Sequence, residues 1–226
     1  MKRAHFLERI SMSLGNKTLP SQGKTPSQYN SPTTVDLQTI IQQFIDEANA
    51  VKAQTHVVTD EIIAMKKIVQ LLNNQSNNKY ISWDDNWLPV TNLEIHLDSA
   101  DFERYQSEVP RDTTKRIKAH AKLAEASVGI TGCSAALADT GSIVLESQSG
   151  QGRLSSLLPP VHIALLTTDQ IYPTMESYIK SQPEAGYRSS NLIVITGPSR
   201  TADITQTLTL GVHGPGTLHI IIIDKV

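Results

Sequence analysis

Cysteine is nearly missing from this chain: Cys133 stands alone among 226 residues. That excludes an internal disulfide. It also excludes a four-cysteine zinc site, and a four-cysteine iron–sulfur cluster held by this chain alone. Long apolar runs are missing as well. The longest near the end is Leu218-His219-Ile220-Ile221-Ile222-Ile223, far short of the roughly 18 to 20 residues that span a bilayer. Neither sign of charge dominates: 20 Lys and Arg face 22 Asp and Glu, a net charge of -2. With no run of Lys or Arg, nothing matches a phosphate backbone, and nucleic acid is not an expected partner. Charged residues are 19% and aromatic residues 5%. The apolar share of 39% still excludes a disordered chain or a collagen. At this length the chain buries a core without covalent staples, as one large domain or one domain with an appended piece.

The first residues, Met1-Lys2-Arg3, lead into no continuous apolar stretch, so no secretory signal is expected. Lys2, Arg3 and Arg9 among serines carry a weak transit-peptide flavour. A short amphipathic helix with Phe6, Leu7 and Ile10 on one face is the plainer reading, and the cytoplasm is the default compartment. Residues 15–34 are rich in Ser, Gln, Asn, Thr, Gly and Pro and read as a flexible polar linker. The expected division is therefore a helix and linker over 1–34 and an α/β domain over 35–226.

Within that domain, Leu37, Ile40, Ile41, Phe44, Ile45 and Ala48 recur at helical spacing after Thr34 and Asp36. Residues 55–59 read as a strand. Asp60 then caps a helix carrying Ile62, Ile63, Met65, Ile68, Val69 and Leu72. Lys79 to Trp83 read as another strand, and Leu93-Glu94-Ile95-His96-Leu97 alternates like one. A helix over 113–127 is expected to turn Ile117, Ala121, Leu123 and Ala124 inward. From residue 128 strands are expected over 128–131, 142–146, 161–166, 191–196 and 218–223, and several of them are continuous apolar runs, the mark of burial on both faces. Helices are expected over 153–158, 173–181 and 201–210. Strands alternating with helices imply an α/β sandwich. The short spacing between strands around 131–142 points to a mixed, mostly parallel sheet.

Open α/β sheets bind ligands beyond the carboxyl ends of their strands. Three loops rich in small residues are expected there. In the first, Asp139 precedes Thr140 and Gly141; its carboxylate could orient a substrate hydroxyl or accept a proton, or simply close a turn. The second runs Gln148-Ser149-Gly150-Gln151-Gly152-Arg153. Gly152 supplies backbone N–H groups and Arg153 a fork for carboxylate or phosphate, at the start of an expected helix. The third, Gly197-Pro198-Ser199-Arg200-Thr201-Ala202-Asp203-Ile204, is expected to open a helix capped by Ser199 or Thr201. Arg200 would face an anion, and Asp203 would complement the dipole. His213, in Gly211-Val212-His213-Gly214-Pro215-Gly216, could act in acid–base chemistry or be structural.

Other chemistries find little support. No Gly-x-Gly-x-x-Gly follows a strand and no Gly-Lys-Ser/Thr loop exists, against a Rossmann dehydrogenase or a P-loop nucleotidase. No Gly-x-Ser-x-Gly elbow suggests a serine hydrolase. No two histidines stand at i, i+4, so no metal site is expected. His162 and His219, inside apolar strands, read as core histidines, and Cys133 as a buried structural thiol.

Taken in order, Val128-Gly-Ile-Thr-Gly, Ala138-Asp-Thr-Gly-Ser-Ile-Val-Leu, Gly152-Arg-Leu-Ser-Ser-Leu-Leu-Pro, Gly197-Pro-Ser-Arg-Thr-Ala-Asp-Ile and Gly211-Val-His-Gly-Pro resemble the lactate utilization protein C family, whose domain is called the LUD domain. The likeness is close over nearly the last hundred residues. Where the family pattern has Glu before the Thr/Ser-Gly pair, this chain has Asp139, a carboxylate one methylene shorter. The resemblance implies a three-layer α/β/α sandwich similar to the NagB/RpiA/CoA transferase-like fold. It implies a part in oxidising L-lactate to pyruvate beside iron–sulfur partner proteins. Any cofactor would then be the partners' clusters, with none in this chain. The chain itself would be a non-redox subunit that binds substrate or organises the complex. The candidate pocket joins Asp139, Thr140 and Gly141, then Gly152 and Arg153, then Gly197, Ser199, Arg200, Thr201 and Asp203, with His213. Arg153 or Arg200 would take the lactate carboxylate, and Asp139 or His213 the hydroxyl. Two other readings remain open: a stand-alone isomerase, transferase or cyclo-ligase-like enzyme on a phosphosugar, CoA ester or folate, and a carboxylate-sensing regulatory domain.

Overall fold

Helix α1, Leu37–Ala50, follows from its 3.6-residue period and buries Ile41, Phe44 and Ala48. Asp36 holds the N-cap position, but its carboxylate makes no capping bond. The computed structural model describes residues 36–105, 112–202, 208–210 and 214–224. All of these belong to one compact unit that starts at Asp36. The expected N-terminal helix and linker lie outside the described residues.

After strand β1, Gln54–Val58, Asp60 caps helix α2, Glu61–Asn73, accepting from the Ile63 backbone N–H at 2.8 Å. The inward residues of α2 are Ala64, Ile68, Leu71 and Leu72, whereas Ile62 and Ile63 face solvent. Strand β2 spans Lys79–Ser82. Residues 93–97, expected as a strand, instead form helix α3, Leu93–Asp98. Leu93 and Leu97 are four apart as well as two steps of an alternation; the helix buries both and leaves Ile95 outside. Strand β3 is Glu103–Tyr105. Helix α4, Thr113–Leu123, is capped by Asp112 and buries only Leu123. Ile117, Ala121 and Ala124, expected inside, are exposed, since the helix leans on the fold through its last turn alone.

Strands β4 (Val128–Gly132), β5 (Ala135–Leu137) and β6 (Ser142–Ser147) follow. Next come the short helix α5 (Leu154–Leu157) and the strands β7 (Val161–Thr167) and β8 (Ile171–Tyr172). Helices α6 (Met175–Ser181) and α7 (Ala185–Arg188) lead to β9 (Asn191–Ile195). The expected helix over 201–210 is replaced by strands β10 (Arg200–Ala202) and β11 (Leu208–Leu210), paired antiparallel with Thr201 opposite Thr209. Threonine's branched Cβ favours the pleated conformation over a helix. Strand β12, Thr217–Ile223, ends the described fold.

Six strands form one sheet in the order β1-β12-β7-β4-β2-β3, every pair parallel. The antiparallel pairings expected around 131–142 segregate into a second sheet, β8-β5-β6-β9. The central strands β4 and β7 are buried along their whole length, as continuous apolar runs require. One face of the large sheet packs Ile130, Ile163, Leu165 and Ile221 against α2 and α3. The other packs Ala164, Leu166, Ile220 and Ile222 against α1 and the inner residues of β5 and β6. Tyr178 of α6 and Ala185 of α7 cover the outer face of the second sheet. No described helix is long and apolar enough to cross a membrane.

Candidate functional site

Strand β6 separates the residues that the sequence groups into one pocket. The Asp139–Gly141 turn enters β6, and the Gln148–Arg153 loop leaves it. Six extended residues put those ends about 17 Å apart. Strand β9 runs antiparallel with Ile195 opposite Ile143, which brings Thr196, Gly197 and Ser199 to the Asp139 end. There, Ser142 Oγ donates to Thr140 Oγ1 at 2.8 Å and lies 2.7 Å from Thr196 Oγ1. Thr140 Oγ1 in turn donates to Asp139 Oδ1 at 3.3 Å.

Two glycines seat these turns on the end of α1. Gly141 has φ +62 and Gly197 φ +75; a Cβ would lie 2.2 Å from the Ala48 nitrogen and 2.4 Å from the Val51 oxygen, respectively. Both positions therefore exclude side chains by space and by backbone conformation. The Ser199 N–H donates to the Pro215 carbonyl at 2.8 Å. Arg200 and Thr201 enter β10, so the expected helix cap and its dipole do not form. Asp203 and His213 lie outside the described residues.

At the far end of β6, the Gly152 carbonyl accepts from Trp83 Nε1 at 3.1 Å. Arg153 is exposed ahead of α5, whose four residues are too few to build the expected anion-binding dipole.

A cleft of about 740 Å³ opens at this end. The chain leaves β2 toward β3 and leaves β4 toward β7, in opposite directions across the sheet. Asn86, Trp87, Leu88 and Pro89 after β2 and Cys133 and Ser134 after β4 line the cleft. It therefore sits at the topological switch point where ligands collect in open α/β sheets. Gln148 and Gln151 bring the glycine-rich loop into its wall. Asp139, Thr140, Gly152, Arg153 and Ser199 are not among its lining residues.

Glu146 anchors one side. It is 2% exposed, and its carboxylate accepts from Arg188 Nε at 2.8 Å, Arg188 Nη2 at 2.6 Å and Tyr178 Oη at 2.8 Å. Burial works to raise its pKa, but the hydrogen bonds from Arg188 and Tyr178, the Arg188 charge and a bond from Ser134 outweigh it. The carboxyl stays below the usual range. Burial first, and then the neighbouring carboxylate, push the Tyr178 phenol up. Arg188 Nη1 also donates to Gln182 Oε1 at 3.2 Å, so this cation is committed. Gln170 is committed too: Nε2 donates to the Cys133 carbonyl at 2.6 Å, and Oε1 accepts from the Thr167 N–H at 2.8 Å. Gln151 differs. It is 5% exposed, and its Oε1 has no hydrogen-bond partner.

Burial pushes the Cys133 thiol up, keeping it protonated and a poor nucleophile. His162 lies 2.8 Å from Thr131 Oγ1, and burial lowers its pKa to about 3. It is a core histidine, as its apolar strand suggested. His219 stacks on His56 with nitrogens 3.2 Å apart. Burial, His56 and Lys67 lower it to about 4. Among the described residues no group of three or more His, Cys, Asp or Glu could hold a metal ion.

Glu146, Arg188, Gln151 and the role of Trp87 escape a reading of motifs. Glu146 carried one usable signal, a lone charge inside an apolar strand, which needs a buried partner. Nothing in the sequence pointed to Arg188, 42 positions on.

A family model described as the LUD domain matches residues 41–223. Lactate utilization protein C of a Geobacillus species is 29% identical, over 99% of this chain and 96% of that protein. Its namesake from Halalkalibacterium halodurans is 28% identical, over 99% of each. Lactate utilization protein B of Bacillus subtilis is 26% identical over 99% of this chain, which spans 50% of that longer protein. The crystal structure of a DUF162 family protein from Deinococcus radiodurans superposes with a TM-score of 0.58 at 23% identity. The match covers 84% of this chain and 99% of that one, and the fold is shared.

Proposed function

This chain belongs to the LUD domain family, and from that premise we propose that it serves in lactate utilization, within a system that oxidises L-lactate to pyruvate beside iron–sulfur partner proteins. One observation carries the reading: the likeness to proteins named lactate utilization protein C runs the full length of both. Oxidising lactate to pyruvate releases two electrons and two protons, which need an acceptor. A lone, buried cysteine with its thiol protonated is no cluster ligand set. Any iron–sulfur clusters would therefore belong to the partners, and this chain binds substrate or organises the complex.

A single lactate cannot bridge the two ends of β6. What favours Asp139 with Arg200 over Asp139 with Arg153 is that the turns leading to Asp139 and Arg200 meet at the same strand end. In this assignment Asp139 would take the lactate hydroxyl and Arg200 the carboxylate, at the strand end where Thr140 and Ser199 also lie.

Deleting the gene in its native cells and supplying L-lactate as sole carbon source tests this. Growth should fail and return with the wild-type chain or Arg153→Ala, but not with Asp139→Asn or Arg200→Ala. A deletion strain that grows normally on lactate overturns the reading. Full rescue by both Asp139→Asn and Arg200→Ala overturns the site assignment alone.

A further inference from the structure

The cleft at the switch point is far larger than lactate requires. Lactate has six non-hydrogen atoms, while about 740 Å³ falls in the range that encloses cofactor-sized ligands. A water occupies only about 30 Å³, so a lactate there would leave most of the cleft to solvent. The buried charge is also spent before any ligand arrives, because Glu146 and Arg188 satisfy each other. The one other charged side chain in the lining, Asp169, is exposed to solvent, and the remaining polar groups of the wall include neutral, planar amides. Gln151 lines the cleft, 5% exposed and with Oε1 buried and unpartnered, and its terminal torsion is soft enough for the amide to turn toward a ligand. A primary amide presents a donor and an acceptor side by side in one plane, the complement of a heterocycle edge with adjacent acceptor and donor. Trp87, 43% exposed at the rim, supplies an uncovered aromatic surface of the kind that stacks on flat rings.

We propose that this cleft binds a planar nitrogen heterocycle, of the class shared by nucleobases, pterins and flavins, read at its edge by Gln151 and covered by Trp87. The ring fills the apolar and amide-lined volume, and any charged tail points to solvent. The site is separate from the Asp139 end of β6, so the proposal stands apart from the assignment of lactate.

Equilibrium dialysis of the full chain against AMP, FMN and folic acid tests it and distinguishes the three sources of the ring. At least one is expected to bind with a Kd below 100 µM, on the order expected of a cofactor-sized ligand. Gln151→Leu and Trp87→Ala should each weaken that binding at least tenfold, and Arg153→Ala should leave it unchanged. Because the Gln151 oxygen is unpartnered, Gln151→Leu should melt at the same temperature as wild type or higher, so lost binding is not lost folding. The proposal is overturned if all three compounds fail to saturate below 1 mM. It is equally overturned if Gln151→Leu binds as tightly as wild type, or if that variant melts lower because Oε1 has a partner after all.

Discussion

Lowering the pH from 8 to 5 is expected to remove about 4 kcal/mol of stability through two histidines. His162 is 1% exposed and His219 7% exposed. Burial holds the first at about 3; burial, His56 and Lys67 hold the second at about 4. Unfolding returns both to about 6.5. Between those values the unfolded chain binds more protons than the folded one, so stability rises with pH. The contribution is complete above pH 6.5 and drains away as the pH falls toward 4 and then 3. At pH 5 each histidine has crossed about 1.5 units at 1.36 kcal/mol per unit, roughly 2 kcal/mol apiece. That is a large share of a typical total of about 5 to 15 kcal/mol. Glu146 does not interfere, since a carboxyl held below its ordinary value acts only in more acid solution. Urea titrations at pH 8, 7, 6 and 5 read the effect directly. His162→Gln keeps a polar partner for Thr131, cannot titrate, and should roughly halve the slope of stability against pH. A stability constant to within 1 kcal/mol from pH 8 to 5, or an unchanged slope in His162→Gln, refutes the argument.

Arg188→Met strands the buried Glu146 carboxylate with Tyr178 and Ser134 alone. Because Arg188 is partly solvated, the loss should be about 2 to 3 kcal/mol, seen as a drop in melting temperature of roughly 5 to 10 °C. Burial without Arg188 raises the carboxyl's pKa, so the loss should shrink in acid as the stranded Glu146 protonates. Gly141→Ala meets both a positive φ and the α1 backbone and should cost more than about 1 kcal/mol in thermal melting. Leu93→Ala should cost about 2 to 5 kcal/mol, while Ile95→Ala two positions on should stay within about 0.5 kcal/mol. The reverse ranking would restore residues 93–97 to a strand.

The buried parallel strands were legible because burial on both faces leaves a plain mark, the unbroken apolar runs at 161–166 and 218–223. Short segments were not, where two periods share the same residues. Leu93 and Leu97 satisfy a strand alternation and a helix turn equally, and tertiary packing decided for the helix. Residues 201–210 carried polar and apolar positions compatible with a helix, and threonine's β-branching turned the described part into paired strands. Ile117 showed that apolar spacing alone does not bury a helix that touches the fold by one turn. The glycine-rich loops were found, but not their distance apart. A strand of six residues lies between two of them, and only the antiparallel register of β6 with β9 tells which loops meet. The cleft was hidden because its chemistry is assembled from glutamine, tryptophan and an ion pair 42 positions apart, none of which forms a local motif.

The most direct test of a part in lactate oxidation is a gentle pull-down of the tagged chain from native cells grown on L-lactate. The eluate's visible spectrum would be recorded and its lactate-dependent dye reduction assayed. The account predicts brown co-purifying proteins, iron and labile sulfide in the eluate, and dye reduction that needs both those proteins and this chain. A colourless chain recovered alone from cells shown to contain the iron–sulfur proteins, or dye reduction that proceeds equally without this chain, would contradict it.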